Sequence, residues 1–318
     1  MSPDQSPLNT QPNRTSTQFY EWRGYQCAYE VLTSPQTGGD RPTPLLLIHP
    51  IGVGLSRRFW DRFSAHWLQS GQSNPIYSPD LLGCGESGMP HVAYHPDDWA
   101  EQLRYFSQTV IQQPAILIVQ GALFPVAIAL SQLPHADQVI RGLILAGPPA
   151  WSVMTRHPPT WQQRISWNLF DSLLGCGFYR YARRRKFLKS FSENQLFDAA
   201  DDVDDQWLDM LIEGADDPDS RHAVFSFLAG FWRRDYEQAI AHIDYPTLVV
   251  IGNTASSISQ SGKSETPDQR MADYLEHLPK GDGVHIQGRN VLPYESTDEF
   301  IEAIAPFVSQ LSSQEVAS

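Results

Sequence analysis

Residues 115–130 have the pattern of a strand, a sharp turn and a helix, an arrangement that presents one side chain for chemistry. An apolar run at 115–119 ends at Gln120 and Gly121, and a helix of small residues begins near Pro125. Enzymes with such a turn carry a Ser, Cys or Asp at its apex, and a His activates that group. Here residues 119–123 are Val-Gln-Gly-Ala-Leu, so the turn offers no nucleophile.

The elements around this turn predict an α/β fold. Continuous apolar runs at 44–48 and 115–119 are typical of parallel strands covered on both faces. Further strands are predicted at 76–80, 139–146, 246–251 and 284–287. Helical patterns lie at 57–68, 97–113 and 268–278, and the last helix starts at Thr297. This alternation predicts a mostly parallel, doubly wound sheet. The aromatic-rich run 19–32 predicts a hairpin before it.

The alternation stops at residues 148–245, where the sequence is mostly helical and charged. We predict a helical cap there, seated over the carboxyl ends of the strands, where open α/β sheets bind ligands. The core would then comprise 18–147 and 246–311. The polar residues 1–17 predict a disordered tail, and 312–318 a second tail.

Four motifs occur in the order found in one enzyme superfamily. Residues 49–52, His-Pro-Ile-Gly, resemble the oxyanion turn His-Gly-x-Gly with a Pro in place of a Gly, and residues 80–87 match Asp-x-x-Gly-x-Gly-x-Ser. The turn at Gly121 and the loop 288–293 complete the set. From about 19 to 308 the chain thus resembles the capped branch of the α/β-hydrolase superfamily. The sequences HPIGVGLS at 49–56 and DLLGCGES at 80–87 also resemble hydrolase-like proteins of cyanobacteria and chloroplasts.

The resemblance implies positions for a catalytic triad, and none of them holds a reactive side chain. The nucleophile position falls on Gly121, or on Ala122 if the alignment slips by one residue. The acid position falls on Ala255 and the His position on Val291. Because the chemistry needs all three groups, the resemblance predicts a degenerate site.

Part of the family's machinery is backbone and survives these changes. The N–H groups of Ile51 and Ala122 would form an oxyanion-type pocket at the start of the helix. Alternatively, Leu123 and Phe124, which are large where the motif has small residues, fill that space. His49 is predicted to organise the oxyanion turn, with a general-base role as the alternative.

Composition excludes several classes of function. A net charge of −13 argues against a nucleic-acid binder. Cys27, Cys84 and Cys176 have no metal-binding spacing, so we expect reduced thiols, no metal and no cofactor. No apolar run approaches the roughly 20 residues that span a bilayer, and residues 1–17 lack the apolar run of a signal peptide. We expect a soluble protein of the cytoplasm or a stromal-type compartment.

One segment of the predicted cap could bind a surface. Residues 178–191 interleave six basic residues with five aromatic ones. A basic amphipathic helix containing Arg183, Arg184 and Arg185 could lie on an anionic membrane or dock a partner. Alternatively, these arginines pair with the eleven Asp and Glu residues of 193–219.

These observations predict a catalytically degenerate protein that serves as a scaffold or binds an apolar small molecule or a protein partner. The alternative is an active hydrolase or lyase that uses non-standard residues, such as His49 or a residue of the cap. A third hypothesis is a peripheral membrane adaptor that works through residues 178–191.

Overall fold

The computed structural model describes residues 16–33, 42–156 and 158–313. Its centre is an eight-stranded sheet of order β1-β2-β4-β3-β5-β6-β7-β8. The strands are β1 Gln18–Trp22, β2 Tyr25–Leu32, β3 Leu45–Ile48, β4 Ile76–Pro79, β5 Ala115–Gln120, β6 Ile140–Ala146, β7 Thr247–Gly252 and β8 Gly281–Ile286. The pairs β1–β2 and β2–β4 are antiparallel, and all other pairs are parallel. The predicted fold class, a mostly parallel doubly wound sheet, is confirmed.

The central strands are buried on both faces because their side chains alternate between two apolar layers. On β5, Leu117 and Val119 belong to one layer, whereas Ile116 and Ile118 belong to the other. The strands β3, β6 and β7 divide in the same way. This explains why these strands are continuous apolar runs in the sequence rather than alternating polar and apolar residues.

Helices cover both layers. In chain order they are α1 Asp61–Gln69, α2 Pro96–Phe106, α3 Phe124–Ser131, α4 Trp151–Met154, α5 Thr160–Phe170, α6 Leu173–Ala182, α7 Arg185–Phe191, α8 Asp205–Gly214, α9 Arg221–Leu228, α10 Glu237–Ala241, α11 Pro267–His277, α12 Leu292–Glu295 and α13 Thr297–Ser313. Residues of α1 and α13 pack in one layer, and residues of α2, α3 and α11 pack in the other. Among the described residues, no helix combines the length and the apolar character needed to span a bilayer.

The segment 148–245, predicted as a cap, contains α4 to α10 and no strand in its described part. Its helix α8 lies against the loop after β3. There Gly54 has φ +78°, and a Cβ at this position would lie 1.8 Å from the carbonyl oxygen of Leu211. Only a glycine allows this approach, so the close contact between the segment and the core depends on Gly54.

The ends of the described chain differ slightly from the predicted boundaries. Thr17 Oγ1 accepts a hydrogen bond from Arg57 Nη2 at 2.9 Å, and α13 continues to Ser313. The predicted tails therefore overlap the ordered fold at residues 16–17 and 312–313. Residues 1–15 and 314–318 lie outside the described residues.

A buried ion pair between Arg57 and Asp80 joins the loops after β3 and β4. Arg57 is 2% exposed and Asp80 is fully buried, and their side chains are in direct contact. The guanidinium also contacts Glu30 at 3.1 Å and Glu86 at 2.6 Å. Although burial opposes the charged form, Asp80 and the two glutamates raise the pKa of Arg57. Arg57 therefore stays charged while surrounded by carboxylates.

The Asp80 carboxylate also fixes backbone. It accepts the N–H of Arg57 at 2.8 Å and the N–H of Glu86 at 2.8 Å. The loops after β3 and β4 thus both depend on the Asp80 side chain. Gly85 lies so close to Asp80 that a Cβ there would be 2.2 Å from a carboxylate oxygen.

We expect Arg57→Gln to destabilise the fold by about 3–5 kcal/mol, because it leaves Asp80 buried without its cation. Urea unfolding followed by tryptophan fluorescence measures this loss. The matched control is Arg58→Gln, since Arg58 pairs with Glu213 at 2.7 Å on the surface and such pairs contribute only about 0–1 kcal/mol. Equal losses for the two variants would contradict the central role of Arg57.

Candidate functional site

The turn after β5 has the backbone of a strand-to-helix elbow. β5 ends at Gln120, one 3-10 turn spans Gly121–Leu123, and α3 begins at Phe124. Gly121 has φ +57°, and Ala122 is not among the described residues with positive φ. The left-handed residue of the turn is therefore Gly121. A Cβ built on Gly121 meets only the carbonyl oxygen of Gly147, at 3.9 Å, so the position has room for a side chain that the chain does not supply.

The loops after β5, β7 and β8 meet at the carboxyl edge of the sheet. Gln120 Nε2 donates to the carbonyl oxygen of Asn290 at 2.7 Å. Asn290 Nδ2 donates to the carbonyl oxygen of Ser256 at 3.0 Å. Ala255 and Val291, which lie beside these contacts in the sequence, are both buried. The loops that carry Gly121, Ala255 and Val291 are thus joined by amide hydrogen bonds, without a nucleophile, an acid or an imidazole at those three positions.

These amide contacts were not predicted from the sequence. Gln120 is a buried polar residue at the end of an apolar strand, and its Oε1 has no hydrogen-bond partner among the described residues. Arg289 was missed as well, and its Nε donates to Ser256 Oγ at 2.8 Å. A polar residue that ends a buried strand is the one sequence signal that could have indicated Gln120.

The predicted oxyanion groups lie at the ends of β3 and β5. Ile51 is buried after β3, and Ala122 is half-buried in the 3-10 turn. Leu123 and Phe124 are buried and belong to the apolar layer that contains α3. The oxyanion-type pocket stays a prediction, and neither of two cavities found elsewhere among the described residues is lined by these groups.

Both cavities are clefts beside the segment 148–245. One has a volume of about 340 Å³ and is lined by His95, Thr160, Gln163, Phe231, Arg233, Arg234 and Asp235. The other has a volume of about 430 Å³ and is lined by Arg58, Asp61, Arg62, Gln206, Asp209, Met210, Glu213 and Tyr294. The charged lining of both clefts does not match the apolar pocket expected from the sequence.

His49 is a structural residue. It is fully buried, its Nδ1 lies 2.9 Å from the carbonyl oxygen of Pro50, and its Nε2 accepts the N–H of Leu81 at 3.1 Å. Nδ1 therefore carries the proton and donates it to Pro50. Burial lowers the pKa of His49. With both ring nitrogens engaged, His49 holds the loop after β3 against the loop after β4 and has no free nitrogen for general-base chemistry.

Cys84 is also inert. It is buried in the loop after β4, and burial together with the nearby Asp80 raises the pKa of its thiol well above the usual value. Since the thiolate is the reactive form, this cysteine is a poor nucleophile.

The basic segment 178–191 is two helices rather than one. α6 ends at Ala182 and α7 begins at Arg185. Arg183 Nη1 donates to the carbonyl oxygens of Ala215 and Asp216 at 3.2 Å, and Arg185 pairs with two carboxylates, those of Asp205 and Asp209. Arg184 lies over the ring of Tyr181, at 5.7 Å. Two of the three arginines are therefore engaged within the segment 148–245.

A cluster of His91, Asp171 and His222 brings three metal-binding residue types together. His91 Nε2 lies 2.6 Å from Asp171 Oδ1. The two imidazoles are stacked, with centroids 4.1 Å apart and planes at 16°. A metal lies near the ring plane of each His that binds it, at about 2.1 Å from the nitrogen. Two stacked rings cannot both meet that condition for one ion, so this arrangement is not a preformed metal site.

Similar proteins indicate the family to which the chain belongs. A profile of the alpha/beta hydrolase family matches residues 45–303. The chain is similar to a thermophilic esterase from Thermogutta terrifontis, with 18% identity, a TM-score of 0.67 and coverage of 95% of this chain and 100% of the esterase. It is similar to the enol-lactonase from Burkholderia xenovorans LB400, with 14% identity, a TM-score of 0.68 and coverage of 92% and 100%. A bromoperoxidase from Bacillus anthracis has 16% identity, a TM-score of 0.67 and coverage of 92% and 100%.

At these identities the solved structures establish a shared fold and nothing about substrate. A search among curated proteins found no similar sequence.

We expect Gly121→Ser to destabilise the fold by about 1–3 kcal/mol, because a side chain at φ +57° is strained even without a clash. Chemical denaturation measures the loss. Gly177→Ser is the matched control, since Gly177 lies in α6, has no left-handed φ and has no atom within 4 Å of a built Cβ. That variant should stay within about 0.5 kcal/mol of the parent. Similar effects at both glycines would refute the strained elbow.

The lowered pKa of His49 predicts a pH-dependent stability. The unfolded imidazole titrates at its usual value of 6.5, so the unfolded state takes up this proton first as the pH falls. The contribution of neutral His49 is therefore complete above that value and is lost below it, by at most about 1.4 kcal/mol per pH unit.

His49→Gln keeps an acceptor for Leu81 but does not titrate. Its unfolding free energy should decline less steeply than that of the parent below neutral pH. His95 and His222, whose pKa values burial also lowers, contribute equally to both proteins. Parallel pH profiles would mean that His49 is not held neutral.

Proposed function

Because the chain belongs to the alpha/beta hydrolase family, we propose that it has lost the nucleophile, the acid and the His of the triad and acts by binding. The observation that carries the proposal is the elbow at Gly121. It keeps the left-handed φ of +57° and has room for a side chain, and yet the residue is a glycine. An elbow that keeps its backbone geometry without its reactive group is expected of a scaffold whose chemistry has been removed.

The loss of all three groups as a set supports the proposal. Ala255 and Val291 are about 5% exposed or less. An unpartnered carboxylate or imidazole at such buried positions would be costly once the other members of the triad were gone. Apolar residues at both positions, together with the Gln120–Asn290 hydrogen bond, stabilise the loops instead.

We further propose that the partner is an apolar small molecule or another protein, and that the chain is of the type found in cyanobacteria and chloroplasts. The similarity of residues 49–56 and 80–87 to such hydrolase-like proteins supports the second point. The uncharged residues at the three triad positions support an apolar ligand at the elbow.

The alternative function is an active hydrolase or lyase with non-standard residues. Such an enzyme would need a nucleophile and a base near the elbow. Ser256, in the loop after β7, carries a hydroxyl that could serve as a nucleophile. Its Oγ accepts a hydrogen bond from Arg289 Nε at 2.8 Å. A guanidinium does not act as a base near neutral pH, so it cannot take the hydroxyl proton. His49 has both ring nitrogens engaged.

Fluorophosphonate labelling and turnover of short-chain esters test the proposal on the purified full-length protein. We expect neither labelling nor turnover, because no Ser in this site has a base to activate it. An active esterase of the same fold serves as the positive control. Labelling or turnover that is lost in Ser256→Ala but kept in Ser259→Ala, a half-buried position of the same loop, would overturn the proposal in favour of the active enzyme.

A further inference from the structure

The helices α5 and α6 form a hairpin whose outer face is apolar and exposed. On α5 the exposed residues Trp161, Ile165 and Leu169 follow each other at four-residue spacing. Leu173 and Leu174 begin α6 at the turn and are 89% and 74% exposed. The face continues along α6 with Phe178 and Tyr181, which are also exposed. Such large apolar residues are scattered singly on an ordinary surface, but here seven of them lie on one helical hairpin and form an apolar stripe.

The inner face of the hairpin already has its partners. The ring of Trp167 lies 5.7 Å from that of Phe231, and Phe170 stacks on Phe225 at 5.3 Å. On α6, Tyr179 is buried and its hydroxyl lies 2.6 Å from Ser220 Oγ. Apolar residues thus occupy both sides of α5, although none of its residues is buried. A helix that is apolar on two sides needs a second contact surface, and the described residues supply only one.

The charge of the hairpin region is opposite to that of the whole chain. Residues 156–191 contain eight Lys and Arg residues and a single acid, Asp171, in a protein of net charge −13. The Asp171 carboxylate lies 2.6 Å from His91 and pairs with it rather than with an arginine of the hairpin. Arg164 and Arg180 are exposed and have no carboxylate partner among the described residues. The apolar stripe therefore lies beside cationic groups that are free to contact anions.

We propose that the α5–α6 hairpin inserts its turn into the interface of an anionic lipid bilayer. Leu173 and Leu174 lead into the acyl boundary, and Arg164 and Arg180 contact the headgroup phosphates. An apolar stripe with basic residues beside it is the composition of helices that lie in a membrane interface. A second copy of the chain fits less well, because a symmetric contact would bring the basic residues beside one apolar face close to those beside the other. This inference is independent of whether the elbow is catalytic.

The surface differs from the arginine triplet predicted from the sequence. Arg183 and Arg185 are engaged by groups of the segment 148–245, whereas the hairpin's apolar residues precede them in the chain. The proposal therefore assigns the leading contact to leucines and the charge contact to Arg164 and Arg180.

Vesicle flotation of the full-length protein tests the assignment. One set of vesicles contains equal parts of phosphatidylcholine and phosphatidylglycerol, and the other contains phosphatidylcholine alone. We expect the protein to float with the anionic vesicles, to bind the neutral ones far less, and to be released as salt rises. The double variant Leu173→Ser, Leu174→Ser should lower the partition coefficient roughly tenfold or more, because both apolar side chains leave the contact.

Two further variants separate the contributions. Arg164→Gln with Arg180→Gln should weaken binding to anionic vesicles by roughly fivefold per charge. Ile258→Ser is the matched control, since Ile258 is an exposed apolar residue outside the hairpin, and it should bind like the parent. All of these positions are exposed, so circular dichroism should report native folds.

Failure of the parent to float with anionic vesicles would overturn the proposal, as would flotation that the double leucine variant leaves unchanged. Analytical ultracentrifugation measures the oligomeric state and so tests whether a second copy of the chain occupies this face instead. A dimer that the double leucine variant converts to a monomer would assign the face to a second copy and would refute the lipid contact.

Discussion

The contact on which the carboxyl edge of the sheet depends is the buried ion pair of Arg57 and Asp80. Two opposite charges removed from water are stable only if they face each other and their remaining hydrogen-bonding capacity is used. Asp80 meets this condition by accepting the N–H groups of Arg57 and Glu86 as well as the guanidinium. The conformations of the loops after β3 and β4 follow from it. His49 adds a second link between the same loops through the N–H of Leu81.

This arrangement separates the fold from the chemistry of the elbow. The groups that hold the loops are Arg57, Asp80 and His49, and none of them occupies a triad position. The end of β5 is joined to the loop after β8 by the side-chain amide of Gln120, which donates to the main-chain carbonyl oxygen of Asn290. A chain built in this way can keep these loops without reactive side chains at the three positions. The φ of +57° at Gly121 is consistent with that separation, because it is set by the strand and the helix on either side.

The fold was predictable because the strands are apolar runs and their order follows from alternation with helices. The position of the elbow was predictable for the same reason, since a buried strand had to end before Gly121. Other features required the tertiary structure. Arg57 is a charged residue next to Arg58, and nothing in the sequence distinguishes the buried one from the exposed one. The prediction of one continuous basic helix over 178–191 was wrong, because α6 ends at Ala182 and α7 begins at Arg185. Between the two helices, the Arg183 side chain donates to a main-chain carbonyl oxygen.

Charge within the segment 148–245 is divided between two surfaces, and this division explains why its α5–α6 face is free. Within residues 193–219, Glu213 pairs with Arg58 and Asp204 with Arg62 of the core, and Asp205 pairs with Arg185 of α7. These contacts direct three carboxylates away from the hairpin, where Arg164 and Arg180 have no carboxylate partner among the described residues. Helical periodicity in the sequence shows that α5 carries apolar residues. It does not show that those on the outer side of the helix have no partner among the described residues. The same pairings that dock the segment on the core therefore leave a cationic, apolar surface on its outside.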